Sequence, residues 1–237
     1  MTTKTARNGV KSKERVRQHG EVFTPDWIVD DMLNLHGIKE ECARLESKFL
    51  EPSCGEGAFL VKILERKLKV VNKLHNTSLD DWETHAILAL TTLYGIELLE
   101  DNAEICTMNL SEVFSEHYKK ACKKHKTDIN LSTKRAAQFI IARNIIEGNA
   151  LTYRKCLPKC GNKCNKCEPI IFSEWTPKAD GFFERKDYTY EGLIDAAKLS
   201  GTNEGDLLDN INTEPTRHNA RPYKTVHFRE LIKEESG

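Results

Sequence analysis

The sequence predicts an α/β fold in which helices cover a parallel β-sheet. Three short apolar runs at residues 48–51, 92–98 and 145–148 are predicted strands, and helical segments separate them, an order typical of βαβ units. After the first run, Gly55 and Gly57 make a tight turn into a helix. Such turns bring the backbone close to a nucleotide-like ligand at the carboxyl edge of a parallel sheet.

The helices follow from apolar residues at a helical period and from their end signals. The first begins at Pro25, with Thr24 as its N-cap, and Gly37 ends it. The others are predicted at residues 58–71, 81–91, 101–124 and 132–142. A further apolar run, EPIIFSEW, ends at Trp175. Beyond it the pattern fades into a stretch rich in Asn, Thr, Asp and Glu, which predicts a polar tail.

Charge in this chain is balanced overall but unevenly distributed. The 237 residues contain 36 Lys and Arg and 36 Asp and Glu, so no net charge draws the whole chain onto nucleic acid or membrane. Basic residues concentrate at residues 1–20, 117–126 and 154–166. One such cluster is most often a solvated helix end or a basic arm. The three together favour contact with a phosphate backbone.

The chain has the features of a cytoplasmic protein. It contains no run of about 18 apolar residues that could span a membrane. Its basic N-terminal segment lacks the apolar stretch of a secretory signal. We therefore expect the eight cysteines to be reduced, and Cys42, Cys54, Cys106 and Cys122 to be ordinary buried thiols.

Four segments occur in a consistent order: GEVFTPDWIVDDML, FLEPSCGEGAFLVKIL, LYGIELLEDNAEIC and IIEGNAL. Together they resemble the S-adenosylmethionine-binding half of the amino-group DNA methyltransferases, in particular the adenine-N6 enzymes of restriction–modification systems. The resemblance covers residues 20–151, a little over half of the chain. It implies a Rossmann-like class I methyltransferase core, with S-adenosylmethionine as cofactor and DNA as partner.

The resemblance also implies the residues that contact the cofactor. They are Phe23, Thr24, Pro25, Glu51, Pro52, Gly55, Gly57, Glu97 and Asn149. The two glycines let the loop pass under the cofactor where a Cβ would clash. Glu97 accepts hydrogen bonds from the ribose hydroxyls, and Glu51 orders the loop and meets the methionine amino group. Asn149 hydrogen-bonds the adenine amino group of the cofactor.

Each of these residues also has a simpler interpretation. Glu97 can be a surface carboxylate that caps the next helix, and Asn149 can belong to a plain turn. The segment Phe23-Thr24-Pro25 can be an N-cap with a hydrophobic staple. Their joint occurrence favours cofactor binding.

The catalytic motif of the family is not recognisable in this chain. In the family, the strand after the IIEGNAL element ends in Asn or Asp, Pro, Pro and an aromatic residue, and no such tetrapeptide occurs here. Ser173, Glu174 and Trp175 occupy the expected place. Glu174 could accept a hydrogen bond from the target amino group, and Trp175 could stack on a flipped base.

Three interpretations of the missing motif stay open. The protein is a truncated or degenerate methyltransferase, a cofactor-binding subunit completed by a partner chain, or an active enzyme with a divergent site. The competing class is non-enzymatic, a DNA- or partner-binding module that keeps the cofactor pocket.

A cysteine cluster predicts a metal site. Cys156, Cys160, Cys164 and Cys167 fall within twelve residues, and four thiolates suit tetrahedral zinc. Free thiols are the alternative. The last three cysteines also have the C-x3-C-x2-C spacing that binds an iron–sulfur cluster in radical S-adenosylmethionine enzymes, but the barrel of those enzymes does not fit in the remaining residues.

The sequence thus divides into five parts. They are a basic flexible arm at residues 1–20, an S-adenosylmethionine-binding core at 21–153, a cysteine-rich loop at 154–168, a divergent catalytic-strand region at 169–199 and a polar tail at 200–237. The second half of the methyltransferase sheet is expected to be incomplete.

Overall fold

The computed structural model of the chain describes residues 17, 24–155, 167–199 and 221–235. Its helices are α1 (Asp26–Leu33), α2 (Ile38–Glu41), α3 (Ala58–Leu74), α4 (Leu79–Thr91), α5 (Glu100–His125), α6 (Leu131–Asn144), α7 (Tyr190–Leu199) and α8 (Leu231–Glu235). Its strands are β1 (Phe49–Glu51), β2 (Leu93–Glu97), β3 (Ile145–Glu147), β4 (Ile171–Pro177), β5 (Phe182–Thr189), β6 (Arg221–Pro222) and β7 (Val226–His227). None of the helices in these ranges is long and apolar enough to cross a membrane.

Strands β1, β2 and β3 form a parallel sheet in that order. The prediction of an α/β fold with a parallel sheet is therefore confirmed. In the register, Glu51 pairs with Gly95 and Glu97 pairs with Glu147. The three strands consequently finish side by side at one carboxyl edge.

The two faces of the parallel sheet pack against different layers. Because side chains alternate along a strand, Leu93 lies in the larger core with helices α3 to α6, whereas Tyr94 and Ile96 lie in a smaller one. The smaller core is completed from the other side by residues of β4 and α7, among them Phe172 and Leu193.

The smaller core is covered by a second, antiparallel sheet. Strand β5 pairs with β4 and also with β6 and β7. The Tyr94 and Phe172 rings meet edge to face at 5.5 Å, and the Tyr94 hydroxyl donates to the Ser173 carbonyl at 3.2 Å. The EPIIFSEW run is thus a strand, but among the described residues its partner is β5 and not the parallel sheet.

Residues 221–235 belong to the folded body. Phe228 is fully buried. The Arg229 guanidinium donates to Asp80 at 2.7 Å and to Thr133 at 3.3 Å, and it also pairs with Glu83. Within the predicted polar tail, residues 221–235 are therefore structured and tie β5 to helices α4 and α6.

A candidate cofactor site at the carboxyl edge of the parallel sheet

Each parallel strand ends in a glutamate. Glu51 closes β1, Glu97 closes β2 and Glu147 closes β3. The parallel register brings these three strand ends to one edge. The loop that contains the two glycines leaves from the same edge, after β1.

The glycine loop, residues 52–57, is fixed by hydrogen bonds between its backbone and neighbouring elements. The Cys54 N–H donates to the Ile96 carbonyl at 2.9 Å, which ties the loop to β2. From α5, the Asn109 side-chain amide donates to the Glu56 carbonyl at 2.8 Å. The loop is therefore held in place before any ligand binds.

Glu97 is the residue that joins the loop to the start of α5. One carboxylate oxygen accepts the Gly55 N–H at 2.8 Å, and the other accepts the Leu99 N–H at 3.0 Å. The residue is only 6% exposed. A carboxylate offers about four lone-pair sites, so Glu97 retains acceptor capacity for further donors.

The two glycines have different roles. A Cβ on Gly57, where φ is +86°, would lie 2.7 Å from the Cys106 sulfur of α5. At Gly55, where φ is +52°, no heavy atom of the described residues beyond its chain neighbours lies within 4 Å of the Cβ position. Packing against α5 therefore requires a glycine at position 57, whereas the loop at Gly55 borders open space.

We expect Gly57→Ala to destabilise the protein by about 2–4 kcal/mol, because the new methyl group overlaps a sulfur atom and the backbone is left-handed. Chemical denaturation measures this loss. Cys106→Ala in the same chain should recover part of it, since it removes the sulfur atom but leaves the backbone strain. If the loss of unfolding free energy in the double variant equalled the sum of the losses in the two single variants, the steric explanation would be contradicted.

The carboxyl edge has an acidic character. Burial raises the pKa of Glu51, and a hydrogen bond from the Ser53 backbone partly opposes the shift. Burial also raises the pKa of Glu147; the nearby Glu100 and Glu104 add to the shift, and Lys155 opposes it. Carboxylates in such surroundings are stabilised by a cation, so the edge favours a positively charged ligand.

Asn149 belongs to a turn, which is the alternative to cofactor binding that the sequence also allows. Its side-chain oxygen accepts the N–H groups of Leu151 at 2.9 Å and of Thr152 at 3.3 Å. The residue lies two positions after β3 and follows Gly148, whose N–H donates to the Glu97 carbonyl at 2.8 Å. A role for Asn149 toward a cofactor adenine stays a prediction.

The N-terminal segment of the predicted site is described only in part. Phe23 lies outside the described residues. Pro25, rather than Thr24, is the N-cap of α1, and its carbonyl accepts the Ile28 N–H at 3.0 Å. Helix α1 is tied to α3, which starts at the glycine loop, because Asp30 pairs with Lys62 at 3.3 Å. Cofactor contacts from Thr24 and Pro25 stay predictions.

Ser173, Glu174 and Trp175 lie inside strand β4 and are buried. The Ser173 hydroxyl donates to Asp187 at 2.7 Å, and Glu174 pairs with Lys48 at 2.9 Å. The indole N–H of Trp175 donates to the Asn144 side chain at 3.2 Å, and the residue is 3% exposed. Stacking of this ring on a flipped base would require β4 to move.

The predicted zinc ligands Cys156, Cys160 and Cys164 lie outside the described residues. Cys167 is half-buried, and its carbonyl accepts a hydrogen bond from Arg154 at 3.4 Å. The cysteine site stays a prediction. The four other cysteines are buried, as expected.

The described residues of the second and third basic clusters lie far apart. Arg154 and Lys155, the first residues of the third cluster, follow the turn after β3 at the carboxyl edge. The second cluster lies at the C-terminal end of α5. This helix starts at the carboxyl edge and has 26 residues, so its last turn lies about 39 Å from its first. The second cluster is therefore distant from the candidate site.

Glu147 and Asn109 are two site residues that the sequence analysis missed. Glu147 had a recognisable signal, because FLE, GIE and IIE are three apolar runs that each finish in the same acidic residue. Asn109 had none, since its contact with the loop depends on how α5 packs.

One of the comparisons with known proteins gives a match. The family model described as N-6 DNA Methylase matches residues 10–142, which is more than half of the 237 residues. No curated protein and no solved structure matches the chain. The match includes β1, the glycine loop, Glu97 and the helices around them. The chain belongs to the N-6 DNA methylase family.

Proposed function

We propose that this chain holds S-adenosylmethionine at the carboxyl edge of its parallel sheet and takes part in methyl transfer to adenine N6 in DNA. The observation that carries the proposal is the position of Glu97. Its carboxylate fixes the glycine loop and retains acceptor capacity, while the space beside Gly55 is open. Membership of the family supplies the substrate class, DNA.

The residues at this edge suit the chemical groups of the cofactor. The remaining lone pairs of Glu97 suit the two ribose hydroxyls, as acidic residues at strand ends do in nucleotide sites. Glu51 and Glu147 suit the positive charges of the methionine ammonium and the sulfonium. The bound cofactor supplies an activated methyl group, and the residues of the chain bind and orient it.

The target DNA is expected to approach the same edge. Arg154 and Lys155 begin the basic cluster that follows β3. Cationic side chains of this kind contact phosphates and set the position of a protein on DNA without reading its sequence.

We further propose that methyl transfer needs a partner chain that binds the target adenine. Ser173, Glu174 and Trp175 are the candidates in this chain, and their burial in β4 leaves them poorly placed to receive a base. The same observation favours a second candidate function, a non-catalytic module that binds the cofactor and DNA.

A methyl-transfer assay distinguishes these functions. Radiolabelled S-adenosylmethionine and unmethylated mixed-sequence DNA are incubated with the chain alone and with the products of neighbouring genes. We expect transfer only in the presence of a partner, and we expect Glu97→Gln to abolish it.

Methyl transfer by the isolated chain would contradict the need for a partner. Loss of that transfer in Glu174→Ala would return the active site to β4. Cofactor binding without transfer in any combination would favour the non-catalytic module.

A further inference from the structure

A second cluster of functional side chains lies at the connection between α3 and α4. His75 forms the C-cap of α3, and Asp81 and His85 lie one turn apart on α4. One ligand atom from each of the three, a ring nitrogen or a carboxylate oxygen, lies within 4.8 Å of the others. Two imidazoles and a carboxylate are a donor set that suits zinc and neighbouring first-row metals.

We propose that His75, Asp81 and His85 bind a divalent transition-metal ion, with Zn²⁺ as the expected occupant. Three protein ligands leave the remaining coordination positions to water. The ion would tie the end of α3 to the first turns of α4.

The carboxylate of this cluster is already oriented. One of its oxygens, Asp81 Oδ2, accepts the Thr77 hydroxyl at 2.8 Å and the Thr77 N–H at 3.1 Å. The other, Oδ1, lies 3.1 Å from Nδ1 of His85. Hydrogen bonds that hold a metal ligand in position are typical of built metal sites and strengthen binding.

The imidazoles are arranged so that a nitrogen lone pair remains for a metal. Nδ1 of His85 lies 2.8 Å from the Asp81 carbonyl, so this nitrogen carries the proton and donates it to the carbonyl. Nε2 then keeps its lone pair, and the ring turns about its Cβ–Cγ bond to present a nitrogen to an ion at the carboxylate. The His75 ring stacks on His85 with centroids 3.7 Å apart and 15° between the ring planes, so the second imidazole is adjacent, and both rings must turn out of this stack to bind the same ion.

The loop between the two helices is also fixed from a third side. At the C-terminal end of α5, Lys124 donates to the Asn76 carbonyl at 2.9 Å, and a ring nitrogen of His125 lies 2.6 Å from the Asn76 side-chain oxygen. Helix α3 starts at the glycine loop and has 17 residues, so the cluster lies about 25 Å from the candidate cofactor site. We therefore assign the ion a structural role that is independent of methyl transfer.

Metal titration of the full chain tests the proposal. To exclude thiolate ligands, the measurement uses a variant in which Cys156, Cys160, Cys164 and Cys167 are serine. After removal of metal with a chelator, we expect this variant to take up Zn²⁺, and we expect Co²⁺ to give ligand-field absorption without a thiolate charge-transfer band.

Adding His75→Ala and His85→Ala to this variant should weaken Zn²⁺ binding at least about 100-fold. His36→Ala is the matched control, because the His36 side chain is 99% exposed and outside the cluster. Zn²⁺ should also raise the melting temperature of the variant with the four serines and leave that of the His75→Ala, His85→Ala variant unchanged. Absence of Zn²⁺ uptake by the variant with the four serines, or equal uptake after loss of both histidines, would overturn the proposal.

Discussion

Glu97→Gln is expected to weaken S-adenosylmethionine binding at least about 100-fold, because charge-assisted hydrogen bonds contribute about 1.5–3 kcal/mol each. The carboxylate receives N–H groups from Gly55 and Leu99. The amide can accept through one atom only, and its NH₂ group would face one of these N–H groups. The variant should therefore lose both the orientation of the loop and the acceptors for the ribose.

Isothermal titration calorimetry measures this effect. Glu112→Gln is the matched control, since it makes the same charge change on an exposed side chain of α5 and should bind nearly as the wild type does. Thermal unfolding of each variant shows whether the fold is retained. Unchanged affinity in Glu97→Gln would contradict our placement of the cofactor.

Lys67→Met is expected to lower the free energy of unfolding by about 3 kcal/mol, because it leaves buried carbonyl groups without a partner. Lys67 is 0% exposed on α3. Its ammonium donates to the carbonyls of Leu45 and Ser47, at 2.9 and 2.5 Å, and to the Thr92 hydroxyl at 2.8 Å. One side chain thus joins α3 to the segments that precede β1 and β2.

Denaturant titration measures the loss, and Lys69→Met, at an exposed position of the same helix, is the matched control. For a chain of this size a loss of about 3 kcal/mol lowers the melting temperature by about 6–12 °C. A loss of unfolding free energy no larger than that of Lys69→Met would show that the three hydrogen bonds make no net contribution to stability.

The pH dependence gives a second readout for Lys67. Burial lowers the pKa of its ammonium from 10.5 to about 7. Between these two values the unfolded chain binds more protons than the folded chain, so the stability contribution of this group rises with pH in that window. The deficit of Lys67→Met relative to the wild type should therefore grow from pH 7 toward pH 10.

The parallel half of the fold was predictable because its signals are local. Apolar runs that end in Glu51, Glu97 and Glu147 mark the three strands, and helical periodicity marks the segments between them. The strand-end position of Glu97 was also predictable. Its bond to Gly55 was not, because that contact depends on the register between β1 and β2.

The antiparallel half escaped prediction for a specific physical reason. Strand β5 buries a charged pair, Arg185 and Asp187, whose side chains bond at 2.8 Å. In the sequence these residues look like the exposed face of an irregular segment, since charged groups are rarely buried without a partner. The burial of Lys67 and Glu83 was not predictable for the same reason. The packing role of Gly57 depends on Cys106, which is distant in sequence.

A structure of the full chain with S-adenosylhomocysteine, the product form of the cofactor, tests the central claim most directly. We predict that the nucleoside lies beside Gly55, with its ribose hydroxyls within hydrogen-bonding distance of the Glu97 carboxylate. A ligand bound elsewhere at saturating concentration, with the glycine loop uncontacted, would contradict the account.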